Sequence, residues 1–238
     1  MSANISLMQK VSFETIFNDF VSLFYPRYCL GCSGSLVKGE DVICSRCMLE
    51  MPQTNYHLEQ VNPLQQRFLG RLDVQLISAL FRFSKNGVIQ HLLHELKYKR
   101  HPEIGIMLGN LYGHKLKDCT RSLDLIVPVP LHPSRYRKRG YNQSAMFAKG
   151  LSDTLNIPYS DHILKRSTNT LTQTKKTKLR RWENVSSVFQ LADEQQIKNK
   201  NLLLVDDVIT TGATLEACGT VLLGHGCKSL SIVCIAEA

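Results

Sequence analysis

The chain alternates short apolar runs with amphipathic stretches, and that alternation predicts its elements. Val74–Phe83 reads as a strand followed by a turn at Gly87. Val88–Tyr98 reads as a helix, and a second helix covers about Pro102–Lys117. Leu125–Val129 is a short apolar strand closed by Pro128 and Pro130, and Asn142–Leu155 is a helix. Leu202–Val205 predicts a buried strand, Thr214–Leu223 its following helix, and Ser229–Ala236 a last strand. Strands that alternate with helices predict an α/β fold, a parallel sheet covered by helices on both faces. Upstream, Phe13, Ile16, Phe17, Phe20 and Phe24 form a helical stripe over residues 11–24, with Ser12 as N-cap. Residues 48–72 are polar, contain Pro52 and Pro63, and read as a connector. The segment 165–185 is polar and aperiodic, as a mobile lid would be.

The richest chemistry lies in Leu202-Leu203-Leu204-Val205-Asp206-Asp207-Val208-Ile209-Thr210-Thr211-Gly212-Ala213-Thr214. An apolar strand is expected to deliver two carboxylates at its C-terminal tip. The loop that follows places backbone N–H groups and the hydroxyls of Thr210, Thr211 and Thr214 at a helix start. Such a start favours phosphate, because its N–H groups lack helical partners and the helix dipole attracts negative charge. Gly212 permits close backbone approach. Asp206 and Asp207 repel phosphate but accept from sugar hydroxyls, or hold a magnesium ion with them. The ligand this pattern fits is a ribose 5-phosphate. An ordinary strand–turn–helix is the competing explanation, but a paired Asp at a strand end needs a partner or a ligand.

Cysteine spacing adds a second centre. Cys29, Cys32, Cys44 and Cys47 form Cys-x2-Cys-x11-Cys-x2-Cys, which puts four thiolates within reach of one tetrahedral zinc ion. Two disulfides are the rival reading, disfavoured by the knuckle spacing and by a reducing cytoplasm. Four sulfurs leave no open position, so the zinc is expected to be structural. Residues 1–60 are assigned to an N-terminal helix with this module, and 61–238 to the main domain.

Charge is concentrated. Of the net +9 over 238 residues, the window His132–Arg181 carries +10, so the rest is nearly neutral. That concentration points to polyanionic partners. Arg135, Arg137 and Arg139, in a basic loop after the Pro128–Pro130 strand end, are candidates for a pyrophosphate. Arg137, Lys138 and Arg139, with Lys175, Lys176, Lys178, Arg180 and Arg181, are candidates for nucleic acid, with Tyr136, Tyr141 and Trp182 available to stack on bases. No apolar run reaches 18 residues, and the N-terminus lacks the features of a secretory signal, so the cytoplasm is the expected location.

The Asp206–Thr214 stretch resembles the phosphoribosyl pyrophosphate (PRPP) motif of type I phosphoribosyltransferases. More widely, the chain resembles the ComF family of competence-associated proteins. The matching landmarks are Cys29-Leu30-Gly31-Cys32, Cys44–Cys47, Leu96-Lys97-Tyr98, Val127-Pro128-Val129-Pro130, Arg139-Gly140-Tyr141-Asn142-Gln143, Gln173-Thr174…Arg180…Asn184-Val185 and Asp206–Thr214. The resemblance implies a four-cysteine zinc finger followed by a Rossmann-like phosphoribosyltransferase-type domain. It also implies PRPP with magnesium at Asp206, Asp207, Thr210, Thr211, Gly212, Ala213 and Thr214, with the two acids as the candidate catalytic pair. The role it implies is DNA uptake in natural transformation, with single-stranded DNA and other competence or inner-membrane uptake proteins as partners. An active phosphoribosyltransferase with an unknown acceptor is the alternative. A glutaminase half is not expected, since the chain opens Met1-Ser2-Ala3.

Overall fold

A computed structural model describes residues 26–59, 61–120, 122–166 and 188–238. The stripe at Phe13–Phe24 and the segment carrying Lys175, Lys176, Lys178, Arg180, Arg181 and Trp182 lie outside the described residues. The chain divides after Leu49 into two compact units.

The first unit contains the two cysteine knuckles, and a short helix, α1 (Ser45–Glu50), runs across its end. Tyr28 and Ser35 form an antiparallel bridge across the first knuckle. Glu40 ties the second knuckle down. Its carboxylate accepts from the Val37 N–H at 3.0 Å, the Ser45 N–H at 2.6 Å and the Ser45 hydroxyl at 2.7 Å.

The second unit is built on a four-stranded sheet of order β1-β6-β5-β2, all pairs parallel. Its strands are β1 (Leu76–Arg82), β2 (Leu125–Pro128), β5 (Asn201–Ile209) and β6 (Ser229–Glu237). A small antiparallel pair, β3 (Leu164–Arg166) with β4 (Phe189–Leu191), lies apart from it. The helices are α2 (Pro63–Phe68), α3 (Val88–Tyr98), α4 (Pro102–Leu116), α5 (Pro133–Arg139), α6 (Gln143–Leu155) and α7 (Ala213–Gly224).

Alternation along the strands feeds two cores. Ile77, Ala79, Leu202, Leu204, Ile232 and Cys234 join Leu215, Cys218 and Leu222 of α7 on one face. On the other face Ser78 accepts a hydrogen bond from Tyr112 of α4 at 2.7 Å, and Tyr112 stacks on Phe147 of α6. Helices on both faces bury a parallel sheet, as expected from the strand–helix alternation. The α4–α6 contact is close because glycines meet there: a Cβ on Gly150 would lie 2.1 Å from the Ile106 carbonyl oxygen, and one on Gly109 2.3 Å from that of Phe147.

Three expectations are corrected. Residues 48–72 are not a bare connector: Asn62 caps α2, Pro63 opens it, and Leu64 and Phe68, four apart, are fully buried. The stretch Pro133–Arg139 is a helix rather than a basic loop. His132 accepts from the Ser134 N–H at its start, and Gly140 closes it in the left-handed region at φ 85°. Finally, the acid pair is not at the tip of β5. The strand runs on to Ile209 because β6 continues beside it, pairing Asp206 with Cys234, Val208 with Ala236 and Ile209 with Glu237.

Candidate functional site

The site forms where one neighbour of β5 stops. β2 pairs with β5 only as far as Pro128 and Val205. Proline has no N–H to extend the ladder, and Val129 donates back to the Val205 carbonyl at 2.8 Å. From Asp206 to Ile209, β5 is paired only with β6, and its other edge opens at the carboxyl end of the sheet, where such folds place ligands. A small open pocket of about 40 Å³ lies here, lined by Asp206 and the run Val208–Leu215.

Asp206 is held deep. Its Oδ1 accepts from the Ser144 hydroxyl at 2.9 Å and from the Asp207 N–H at 2.8 Å. Burial, and then the neighbouring charge of Asp207, push its carboxyl up to about 7. Asp207 turns the other way and pairs its Oδ2 with Lys97 Nζ at 2.8 Å. Lys97 comes from the last turn of α3.

The loop beyond β5 has the expected character. Thr210, Thr211, Ala213 and Thr214 are exposed, and Gly212 is buried at φ 79°. Gly212, the N-cap of α7, has no side chain to offer; the Thr211 hydroxyl accepts from the Ala213 N–H at 3.4 Å, and the N–H groups that follow are the ones open to a ligand or solvent. A Cβ at 212 would lie 2.4 Å from Cζ of Phe68, so the loop rests directly on a core ring. Two arginines from the same region hold its carbonyls: Arg67 donates to Thr210 O at 2.6 Å and Arg71 to Thr211 O at 3.2 Å. Arg71 also pairs with Glu216 in α7.

The basic helix α5 separates its charges. Arg135, Arg137 and Lys138 are exposed and make no ion pair among the described residues. Arg139 is half-buried, donates to Gln143 Oε1 at 2.6 Å and lies over the Tyr98 ring at 5.3 Å. Tyr98 itself is 56 % exposed and also meets His94 at 5.0 Å. Tyr141 is tied by its hydroxyl to the Leu96 carbonyl, which leaves it less free to stack than Tyr136. The structure thus brings Asp206, Asp207 and the Thr210–Thr214 loop together. It adds Lys97, Ser144, Arg67, Phe68 and Arg71, which carry no local motif and reach the site only through tertiary packing.

In the other unit, the sulfurs of Cys29, Cys32, Cys44 and Cys47 all lie within 4.8 Å of one another. A tetrahedral zinc with bonds of about 2.3 Å would hold its sulfurs roughly 3.8 Å apart, so the cluster has the right scale. Backbone N–H groups point at the sulfurs: Gly31 and Cys44 donate to Cys29 Sγ at 3.3 and 3.2 Å, and Cys47 to Cys44 Sγ at 3.4 Å. Burial works against a thiolate at Cys29, but these N–H donors outweigh it and bring the thiol down to about 7. The four cysteines are therefore a candidate metal centre. Cys218 and Cys234 are fully buried small core residues.

These features define a phosphoribosyltransferase-type domain. The family model described as "Phosphoribosyl transferase domain" matches residues 142–238, from the cap of α6 to the last strand. The resemblance to the ComF family holds over most of the chain. Competence protein F of Haemophilus influenzae is 29% identical over 90% of this chain and 99% of its own length. DNA utilization protein YhgH of Escherichia coli K12 is 28% identical over 90% of this chain and 98% of its own length. Among solved structures, glutamine PRPP amidotransferase from B. subtilis, complexed with ADP and GMP, aligns with 60% of this chain and 30% of its own. That alignment has 19% identity and a TM-score of 0.44. The chain thus carries a phosphoribosyltransferase-type domain and is similar over most of its length to proteins named for competence and DNA utilization; no helix among its described residues is long and apolar enough to cross a membrane.

Proposed function

We propose that this protein binds PRPP with magnesium on the Asp206–Thr214 loop and handles single-stranded DNA during natural transformation, with zinc holding its N-terminal module. The observation that carries the PRPP reading is the acid pair beside a helix start whose N-cap is a glycine, at an open carboxyl edge of a parallel sheet. Phosphate meets the N–H groups around Thr211–Thr214, and ribose hydroxyls meet the carboxylates. Oxygen donors from Asp206 and Asp207 suit a hard cation, and magnesium held there would supply positive charge beside the ligand's oxygens. Asp206 needs its charge for this role, and the Ser144 hydroxyl favours that charged form.

The DNA reading rests on the exposed cations Arg135, Arg137 and Lys138, which make no ion pair among the described residues, with exposed Tyr136 on the same helix and exposed Tyr98 against Arg139. That combination suits a single strand, whose phosphates need cations and whose bases need aromatic faces. The names of the relatives, a competence protein and a DNA utilization protein, agree with it. An active phosphoribosyltransferase is the second reading, favoured by the acid pair and loop. Calorimetric titration of PRPP with magnesium tests the first reading. Binding that disappears in Asp206→Ala/Asp207→Ala supports the site, and unchanged affinity rejects it. Release of pyrophosphate on adding an acceptor would move the second reading ahead.

A further inference from the structure

We propose that Lys97 is a built-in counter-ion that keeps free divalent cations off Asp207 and yields the carboxylate only to a ligand bringing its own diphosphate. The inference rests on the PRPP reading of the loop and adds a selection step to it. Lys97 Nζ lies 2.8 Å from Asp207 Oδ2, and the two side chains are only 23% and 17% exposed. Contact at that depth is far less screened than a surface pair.

Its placement is set by the core rather than by the loop. Ile89, Leu92, Leu93 and Leu96 bury one face of α3, and Tyr141 bonds the Leu96 carbonyl. The backbone at 97 is therefore fixed, while the four-carbon stem of the lysine remains free to re-aim its ammonium. At the other carboxylate, Asp206 Oδ1 already accepts two hydrogen bonds. With the ammonium in place, the charge of Asp207 is already matched. A lone magnesium or manganese ion would have to expel a fixed positive charge and gain little for it. A ligand with a diphosphate changes the exchange. Its oxygens offer the ammonium a new anionic partner, and the freed Asp207 carboxylate receives the ribose hydroxyls or the ligand's own cation. Lys97 thus makes entry of the metal conditional on the diphosphate, which separates PRPP from ribose 5-phosphate although both share the 5-phosphate and the ribose.

The test is a manganese titration of the full-length protein without PRPP, with free ion read by electron paramagnetic resonance. Wild type and Lys97→Arg are expected to bind no manganese at the acid pair. Lys97→Met is expected to gain one site, with affinity improved roughly tenfold or more, and Lys97→Met/Asp207→Asn to lose it again. A gain of binding cannot come from a damaged fold. If Lys97→Met does not fold, Lys97→Gln serves with the same expectation. As a second readout, magnesium should strengthen the binding of PRPP but not of ribose 5-phosphate in wild type, and of both in the lysine variant. Wild type that binds manganese as tightly as Lys97→Met, or a variant that gains nothing, overturns the inference. Failure of wild type to bind PRPP at all instead overturns the reading of the site on which it rests.

Discussion

Phe68 occupies the space that any side chain at Gly212 would need: a Cβ there would lie 2.4 Å from the ring's Cζ. One residue is the last of α2, in the second unit, and the other is the turn of the loop between β5 and α7. The loop is shaped by a core ring, not only by its own glycine. Gly212→Ala should therefore fail twice, through the clash and through the positive φ of 79°, which alone costs about 1–2 kcal/mol. The expected outcome is a folded protein of lower Tm with PRPP affinity reduced about tenfold or more. Calorimetry and a thermal melt check both effects. Unaltered PRPP affinity would show that the loop tolerates the displacement.

Asp206 should make stability depend on pH. Its folded-state pKa of about 7 lies above its ordinary value of 3.8, so the folded chain keeps a proton that the unfolded chain has lost. Stability then falls as pH rises between those values and levels off above about 7. Asp206→Asn removes the effect. The variant should exceed wild type at pH 8, by a difference on the order of a few kcal/mol that vanishes toward pH 4. Urea melts at both pH values measure it, and parallel curves for the two proteins would reject the assignment. Binding of PRPP with magnesium needs the carboxylate, so its affinity should rise through about pH 7.

Four clustered thiols and their N–H donors lead to the expectation of one zinc per chain. Elemental analysis should find it, and Cys44→Ser should lose it. The module is too small to fold on an apolar core alone, so a chelator should release the metal and unfold that unit while the sheet domain persists. A metal-free protein with the knuckles still folded would contradict this.

Arg135, Arg137 and Lys138 stand in solvent and are expected to contact DNA phosphates. For single strands, log affinity against log salt should have a slope near −0.7 per contact. Replacing all three by Gln should flatten the slope by about two if all three touch phosphate. Tyr98→Ala should weaken binding by about 1–3 kcal/mol with the slope unchanged, because stacking involves no counter-ion release. Affinity that ignores salt would remove the nucleic-acid reading.

Helix packing gives a separate check on how Ser144 is held. Gly150→Ala would drive a methyl into the Ile106 carbonyl, 2.1 Å away, and force α4 and α6 apart. The expected cost is about 1–3 kcal/mol, read as a lower midpoint in urea. Because α6 also carries Ser144, the variant should weaken PRPP binding more than its loss of stability alone explains. Equal PRPP affinity in variant and wild type would separate the helix contact from the site.

The amino-acid sequence by itself determined the four strands of the main sheet with helices α3, α4, α6 and α7, the two knuckles, and the acid pair with its hydroxyl-rich loop. Each of these is a local pattern: apolar period, cysteine spacing, or residues adjacent in the chain. Val88–Tyr98 was legible at both ends because its apolar stripe is continuous. Other parts were decided only by tertiary structure. β5 looked shorter than it is because Asp206 and Asp207 break the apolar run, and only the presence of β6 beside them extends the strand. The helix α5 was masked by consecutive cations, although Pro133 and Gly140 marked its ends. Phe68 under Gly212, Ser144 on Asp206 and Lys97 on Asp207 join residues far apart in the chain. No local period records such pairs, because the sheet order and the glycine-lined approach of α4 and α6 are what bring them together.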